Sequence, residues 1–154
     1  MLEATENWKQ AFPGASVGAL VMRNATNPAN HPDLDARMSE VESIIRANYS
    51  EGGRPAIRAL PTIQAYTAHY KKFKKTYHVQ GQIESVALKD RSLPRISTLV
   101  SAMFAAELKN HLLTAGHDVA TLQNPVTVDV STGGETYSTM SGKEQSLSPG
   151  DMFI

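Results

Sequence analysis

Glu107, Asn110, His111 and Thr114 recur at the three- and four-residue spacings that place side chains on one face of a helix. A carboxylate, an amide, an imidazole and a hydroxyl gathered there can line a pocket for a polar ligand, since each needs a partner once it leaves water. His117 and Asp118 follow closely. The six-residue step from His111 to His117 is too common to specify a metal, and none is expected. No glycine-rich phosphate loop, nucleophile elbow or paired-carboxylate metal signature occurs, and no residue pattern singles out a nucleophile or a cofactor.

These residues occupy the second half of the longest helical pattern in the chain, residues 96–116, ISTLVSAMFAAELKNHLLTAG. Pro94 precedes it, Ser97 suits the N-cap and Gly116 suits the stop. Ile96, Leu99, Val100, Met103 and Phe104 make an apolar stripe in its first half. Stepping about 100° per residue, Met103, Glu107, Asn110, His111 and Thr114 fall within roughly 60° of that stripe. The face is therefore apolar at one end and ionisable at the other. Either the helix lines a pocket, or it bends near Ala105 and Ala106 so that Leu108, Leu112 and Leu113 become its buried side.

A second cluster has a different chemistry. Tyr66, Tyr70, Phe73 and Tyr77 recur at four, three and four residues, with Lys71, Lys72, Lys74 and Lys75 between them and His69 and His78 at the edges. Cations for phosphate and rings for stacking suit an RNA-contacting surface. The same pattern also describes core rings beside a solvated lysine face.

The 15 basic and 15 acidic residues of this 154-residue chain cancel, so any nucleic-acid contact must be local. The absence of cysteine removes disulfides and thiolate chemistry and fits a cytoplasmic location. No apolar run approaches the length of a membrane span, and no membrane partner is expected. The length suits one domain.

In order, residues 2–12 read as a short amphipathic helix and residues 16–22 (SVGALVM) as a buried strand. Residues 23–32 read as a loop. A helix is expected over 32–49, a break at 51–55, then helices over 62–74 and 82–88. Residues 126–130 alternate as a strand, 136–140 form a second, and a third begins at 152–154. Helices followed by closely spaced strands predict an α+β fold, with helices packed on an antiparallel sheet. Because the last strand starts where the sequence stops, the chain is expected to be the N-terminal part of a longer protein, lacking the C-terminal strands of its fold.

The segment GETYSTMSGKEQSLSPGDMFI, residues 134–154, resembles the G-E-x-x-x-T-L-D-G-x-x-x-x-L-x-P-x-D-L-V-I run of the B3/B4 domain, found in the β chain of bacterial phenylalanyl-tRNA synthetase and in stand-alone proteins. Gly134, Glu135, Thr139, Gly142, Leu147, Pro149, Asp151 and Ile154 occupy the matching places. LPRISTLVSAMFAAEL is similar to the family's central helix, and AGHDVATL to the segment after it, with Asp118 at the family's Asp. The stretch from Ala65 to Val86 resembles the tyrosine-rich region of the stand-alone members, and the order is collinear from about residue 16.

The resemblance implies a single B3/B4-like domain whose pocket surrounds the helix over 96–116 and the loop after it. It implies an editing hydrolase that deacylates misacylated tRNA, with aminoacyl-tRNA and an amino acid as partners. Such an ester is activated, so positioned water and oxyanion donors suffice. On that reading Glu107, Asn110, Thr114 and Asp118 bind substrate, and His111 or His117 acts as general base. Lys71, Lys72, Lys74 and Lys75 would hold the tRNA. Several family pocket positions differ here: Phe104 stands for an Asn, Ser101 for an Asp, and Ala115 for a His. The scaffold is therefore expected to carry over without its tyrosine specificity. The alternative is a non-catalytic module that binds an amino acid, tRNA or a protein on the same scaffold.

Overall fold

The computed structural model describes residues 2–139 and 141–154. The chain is α+β and divides into two compact units, Met1–Arg23 with His117–Ile154, and Asn24–Gly116.

In the first unit, strand β1 (Leu2–Ala4) precedes helix α1 (Glu6–Ala11), in place of one helix over 2–12. Thr5 divides them. Its hydroxyl accepts from Trp8 N at 3.1 Å, starting the helix there. Its own N–H donates to Val128 O at 3.1 Å, which ties the preceding residues to a strand. Strands β2 (Val126–Val130), β3 (Thr136–Ser138), β4 (Glu144–Ser146) and β5 (Met152–Phe153) follow. Met140, the last residue of the expected second strand, lies outside the described residues.

β1 runs parallel to β2 with Leu2 opposite Val126, and β5 runs antiparallel with Asp129 opposite Phe153. The sheet order is β1-β2-β5, and β3 and β4 pair separately. The three-stranded sheet is thus mixed, not antiparallel: the sequence places β1 far from its partner, so no tight turn dictates an antiparallel pairing. Trp8 of α1 and Val128 of β2 are buried. The expected strand over 16–22 is absent; those residues have no regular structure and are exposed.

The second unit is helical: α2 (Pro32–Tyr49), α3 (Gly53–Ala59), α4 (Pro61–Lys72), α5 (His78–Lys89) and α6 (Thr98–Asn110). Pro32 and Pro61 open α2 and α4, where a missing N–H costs nothing. The break at 51–55 shrinks to a tight turn, with Gly53 at φ 60° leading straight into α3. Met38, Val41 and Ile45 of α2 pack with Val79, Ile83 and Val86 of α5 and with Ala105 and Leu108 of α6. These helices bury their apolar faces against one another, not on a sheet. Glu42, buried among them, accepts from Leu93 N at 2.8 Å and from Arg95 Nη1 at 2.7 Å.

α6 is shorter than its pattern. Ser97 makes no side-chain cap; Asn27 Oδ1 accepts from Leu99 N at 3.0 Å instead. At the other end His111, at φ 57°, stops the helix five residues before Gly116. Gly116 serves a close approach: a Cβ there would come within 2.6 Å of Met103 Sδ. Ser101, Ala105, Glu107 and Leu108 are the buried residues of α6, while Ile96 is exposed and Leu112 and Leu113 lie outside the helix. Neither the apolar stripe nor a bend onto the leucines describes it. Among the described residues no helix is long and apolar enough to cross a membrane.

Candidate functional site

Leu108 faces the core from α6, and its neighbour Glu107 is carried inside with it. A buried carboxylate needs donors, and the residues just after the helix supply them. Glu107 Oε1 accepts from Thr114 N at 2.8 Å and from Thr114 Oγ1 at 3.0 Å. Oε2 lies 3.8 Å from Nε2 of His78, a half-exposed residue at the start of α5. Glu107 and Thr114, expected on one helical face, meet instead through a returning chain, because α6 has ended between them.

Tyr70 and Tyr77 lie near this carboxylate, and Tyr66 packs on both. The Tyr66 and Tyr77 rings stack at 4.3 Å with 6° between their planes, and Tyr70 lies 5.5 Å from Tyr77. Tyr77 is buried, and its hydroxyl donates to His111 O at 3.0 Å, satisfying a carbonyl at the end of α6. Burial first, then Tyr66, Glu107 and Tyr70, push the Tyr77 phenol far above its usual value, so it remains a donor. Burial, with Tyr66 and Glu107 behind it, also raises Tyr70. Tyr66 Oη accepts from Leu113 N at 3.3 Å.

Asn110 and His111 do not join Glu107. The Asn110 amide donates back to Ala106 O at 2.9 Å, within its own helix. The His111 ring sits 6.2 Å from that of Tyr49 and lines a pocket of about 70 Å³ with Ile45, Tyr49 and Leu108. Pockets that enclose drug-sized ligands run to about 300 Å³ or more. Burial lowers the His111 pKa and favours its neutral form.

His117 and Asp118 belong to the other compact unit. His117 is exposed. Asp118 Oδ1 accepts from Ala120 N at 2.9 Å and caps a 3₁₀ turn, Val119–Thr121. That local capping role accounts for its place in the sequence. Among the described residues no three His, Cys, Asp or Glu side chains come together as a metal site would require.

Lys71, Lys72, Lys74 and Lys75 are exposed where α4 ends, with Lys74 at φ 55° turning the chain. None forms an ion pair among the described residues. The half-buried Phe73 ring lies 5.3 Å from His69 in the same turn. The helical spacing correctly places Tyr66 and Tyr70 on one face; Tyr77 reaches them from beyond the end of α4. His78 was visible only as an edge residue, because nothing local links it to Glu107, 29 positions away. No family model, curated protein or solved structure matches this chain.

Proposed function

We propose that this chain is an RNA-binding module, most specifically one for tRNA, on a scaffold like that of the B3/B4 editing domains. One observation carries the reading: four exposed lysines cluster at the end of α4 with no carboxylate paired to them among the described residues. Cations also complement a helix C-terminus, so their charge alone is not diagnostic. Their number and lack of partners favour phosphate, and Phe73 and His69 offer rings beside them. The order of motifs over residues 65–154 adds the tRNA-editing family as context.

A binding role is preferred to catalysis because the expected pocket residues are engaged elsewhere. Glu107 and Thr114 satisfy each other, Asn110 bonds its own helix, and His111 lines a small pocket. Titrating the chain with tRNA at several salt concentrations tests the reading. Replacing Lys71, Lys72, Lys74 and Lys75 with alanine should weaken binding and flatten the dependence of log K on log salt by about 0.7–0.9 per lost phosphate contact. An unchanged slope would assign the lysines to a solvated face.

One contact favours a second reading, hydrolysis of an aminoacyl ester. Glu107 Oε2 stands 3.8 Å from the half-exposed His78 imidazole, longer than a hydrogen bond, and a small ring movement would let the carboxylate orient it as a general base. On that reading His78, which replaces His111 and His117 as the candidate base, takes a proton from water. The water adds to the ester carbonyl, the bond to the ribose oxygen breaks, and that oxygen leaves with the proton. Deacylation of a mischarged tRNA that is lost in His78→Asn would establish it; equal rates in both proteins would remove it.

A further inference from the structure

Residues 16–22, SVGALVM, carry no charge and have the composition of a buried strand, yet they lie exposed. Leu20 is 85% exposed, and Val17, Val21 and Met22 are exposed as well. Their backbone groups form no backbone hydrogen bonds among the described residues. A contiguous apolar stretch left this way marks an interaction surface.

The same unit offers a place for such a stretch. β1 is the edge of its sheet, with β2 on one side only. A cavity of about 260 Å³ lies beside it, lined by Leu2, Glu3 and Ala4 of β1 and by Ala15, Ser16 and Val17. Trp8 and Val128 also line it. Trp8 Nε1–H is buried with no hydrogen-bond partner among the described residues, a costly state for a donor. An open strand edge beside a groove of mixed polar and apolar lining is a template for an added strand.

We infer that the strand is supplied by residues 16–22 of a second copy of this chain. Each copy displays both the strand and the groove, so a twofold axis lets each donate to the other. The two segments then lie side by side and antiparallel at the axis, each between its partner copy's β1 and that copy's own segment. The two small sheets join into one continuous sheet, the open β1 edge of each copy is covered, and Trp8 Nε1–H gains backbone carbonyls nearby. Charge agrees with this exchange. Arg23 follows the segment, Glu3 stands on the groove, and neither has an ion-pair partner among the described residues. An external peptide would require none of this self-complementarity.

Sedimentation of the full chain over a wide concentration range, read together with fluorescence, tests the exchange. Trp8 is the sole tryptophan, so its emission reports on the groove directly. A monomer–dimer transition should appear, with Trp8 emission changing at the same midpoint. Leu20→Asp, at an exposed position, should leave the circular dichroism unchanged and raise the dissociation constant about tenfold or more. Glu3→Arg should weaken association by like-charge repulsion, and adding Arg23→Glu should restore it. A monomer at every concentration, a dimer indifferent to Leu20→Asp, or constant Trp8 emission through the transition would each overturn the inference.

Discussion

Thr114 closes onto Glu107 with two hydrogen bonds to a single carboxylate oxygen, from its N–H at 2.8 Å and its hydroxyl at 3.0 Å. The chain leaving α6 is thereby folded back over the helix it has just left. Glu107 is buried and Thr114 half-buried, so these bonds hold more than an exposed pair would. Removing the hydroxyl in Thr114→Val should cost about 1 kcal/mol. Glu107→Ala also strands Thr114 N–H and should cost about 2–3 kcal/mol. Urea unfolding of both single variants and the double variant should give a coupling of at least ~0.5 kcal/mol. Additive losses would show that the two residues act separately.

His111, at the end of α6, makes stability depend on pH. Burial disfavours its charged form, so the unfolded chain binds a proton before the folded one does. Stability is therefore full above the ordinary histidine range and declines as pH falls from about 6.5 toward the lower folded value. His111→Asn removes the titration while tolerating the left-handed backbone at φ 57°. The melting temperature of the variant should lose part of the wild-type decline between neutral and mildly acidic pH. An identical pH profile would show that His111 does not carry it.

Glu42 is a buried carboxylate of the other kind, with structural partners on every side that matters. It receives Leu93 N–H and the Arg95 guanidinium, and Arg46 lies 3.7 Å away. Glu42→Leu is close in volume and suits the apolar neighbours, yet it leaves the Leu93 donor inside without a partner. A loss of about 2–4 kcal/mol is expected, measured by chemical unfolding, because removing one partner costs more than the pair contributed. A neutral result would mean that water or a shifted backbone takes over both donors.

The parts of this fold that were readable are those written in local spacing. α2 follows its pattern from Pro32 to Tyr49 because a proline start and a periodic apolar face agree there. The strand over 126–130 is equally plain, since Val126, Val128 and Val130 alternate. α3 was hidden because Gly52, Gly53 and Pro55 resemble a loop, although Pro55 sits harmlessly in a first helical turn. β1 was hidden because its partner lies more than 120 residues away, and three residues carry no period. At the site, Glu107 and Thr114 share a helical spacing that became a real contact. Asn110 and His111 share it too, but the left-handed turn at His111 sends the chain elsewhere. His78 meets Glu107 only through tertiary packing.

Glu135 is held by the turn it ends, and its acidity should report on that turn. Its carboxylate accepts from the Ser131 hydroxyl and from the N–H groups of Thr132, Gly133 and Gly134. Those donors, the Ser131 hydroxyl foremost, lower its pKa to about 2. Gly133 is required at φ 101°, and a Cβ there would meet Pro149 Cγ at 2.8 Å. A depressed carboxyl stabilises the folded turn fully above its ordinary titration near 4.5, and that contribution fades as pH falls toward about 2. Carboxyl chemical shifts should therefore place the Glu135 midpoint well below those of exposed glutamates. Hydrogen exchange at Gly133 and Gly134 should accelerate over the same range, beyond the intrinsic dependence of exchange on pH. Glu135→Gln should release those amides at neutral pH, since a neutral side chain holds the N–H groups less strongly. A midpoint at the ordinary value, with protection unaltered in Glu135→Gln, would separate the carboxylate from the turn.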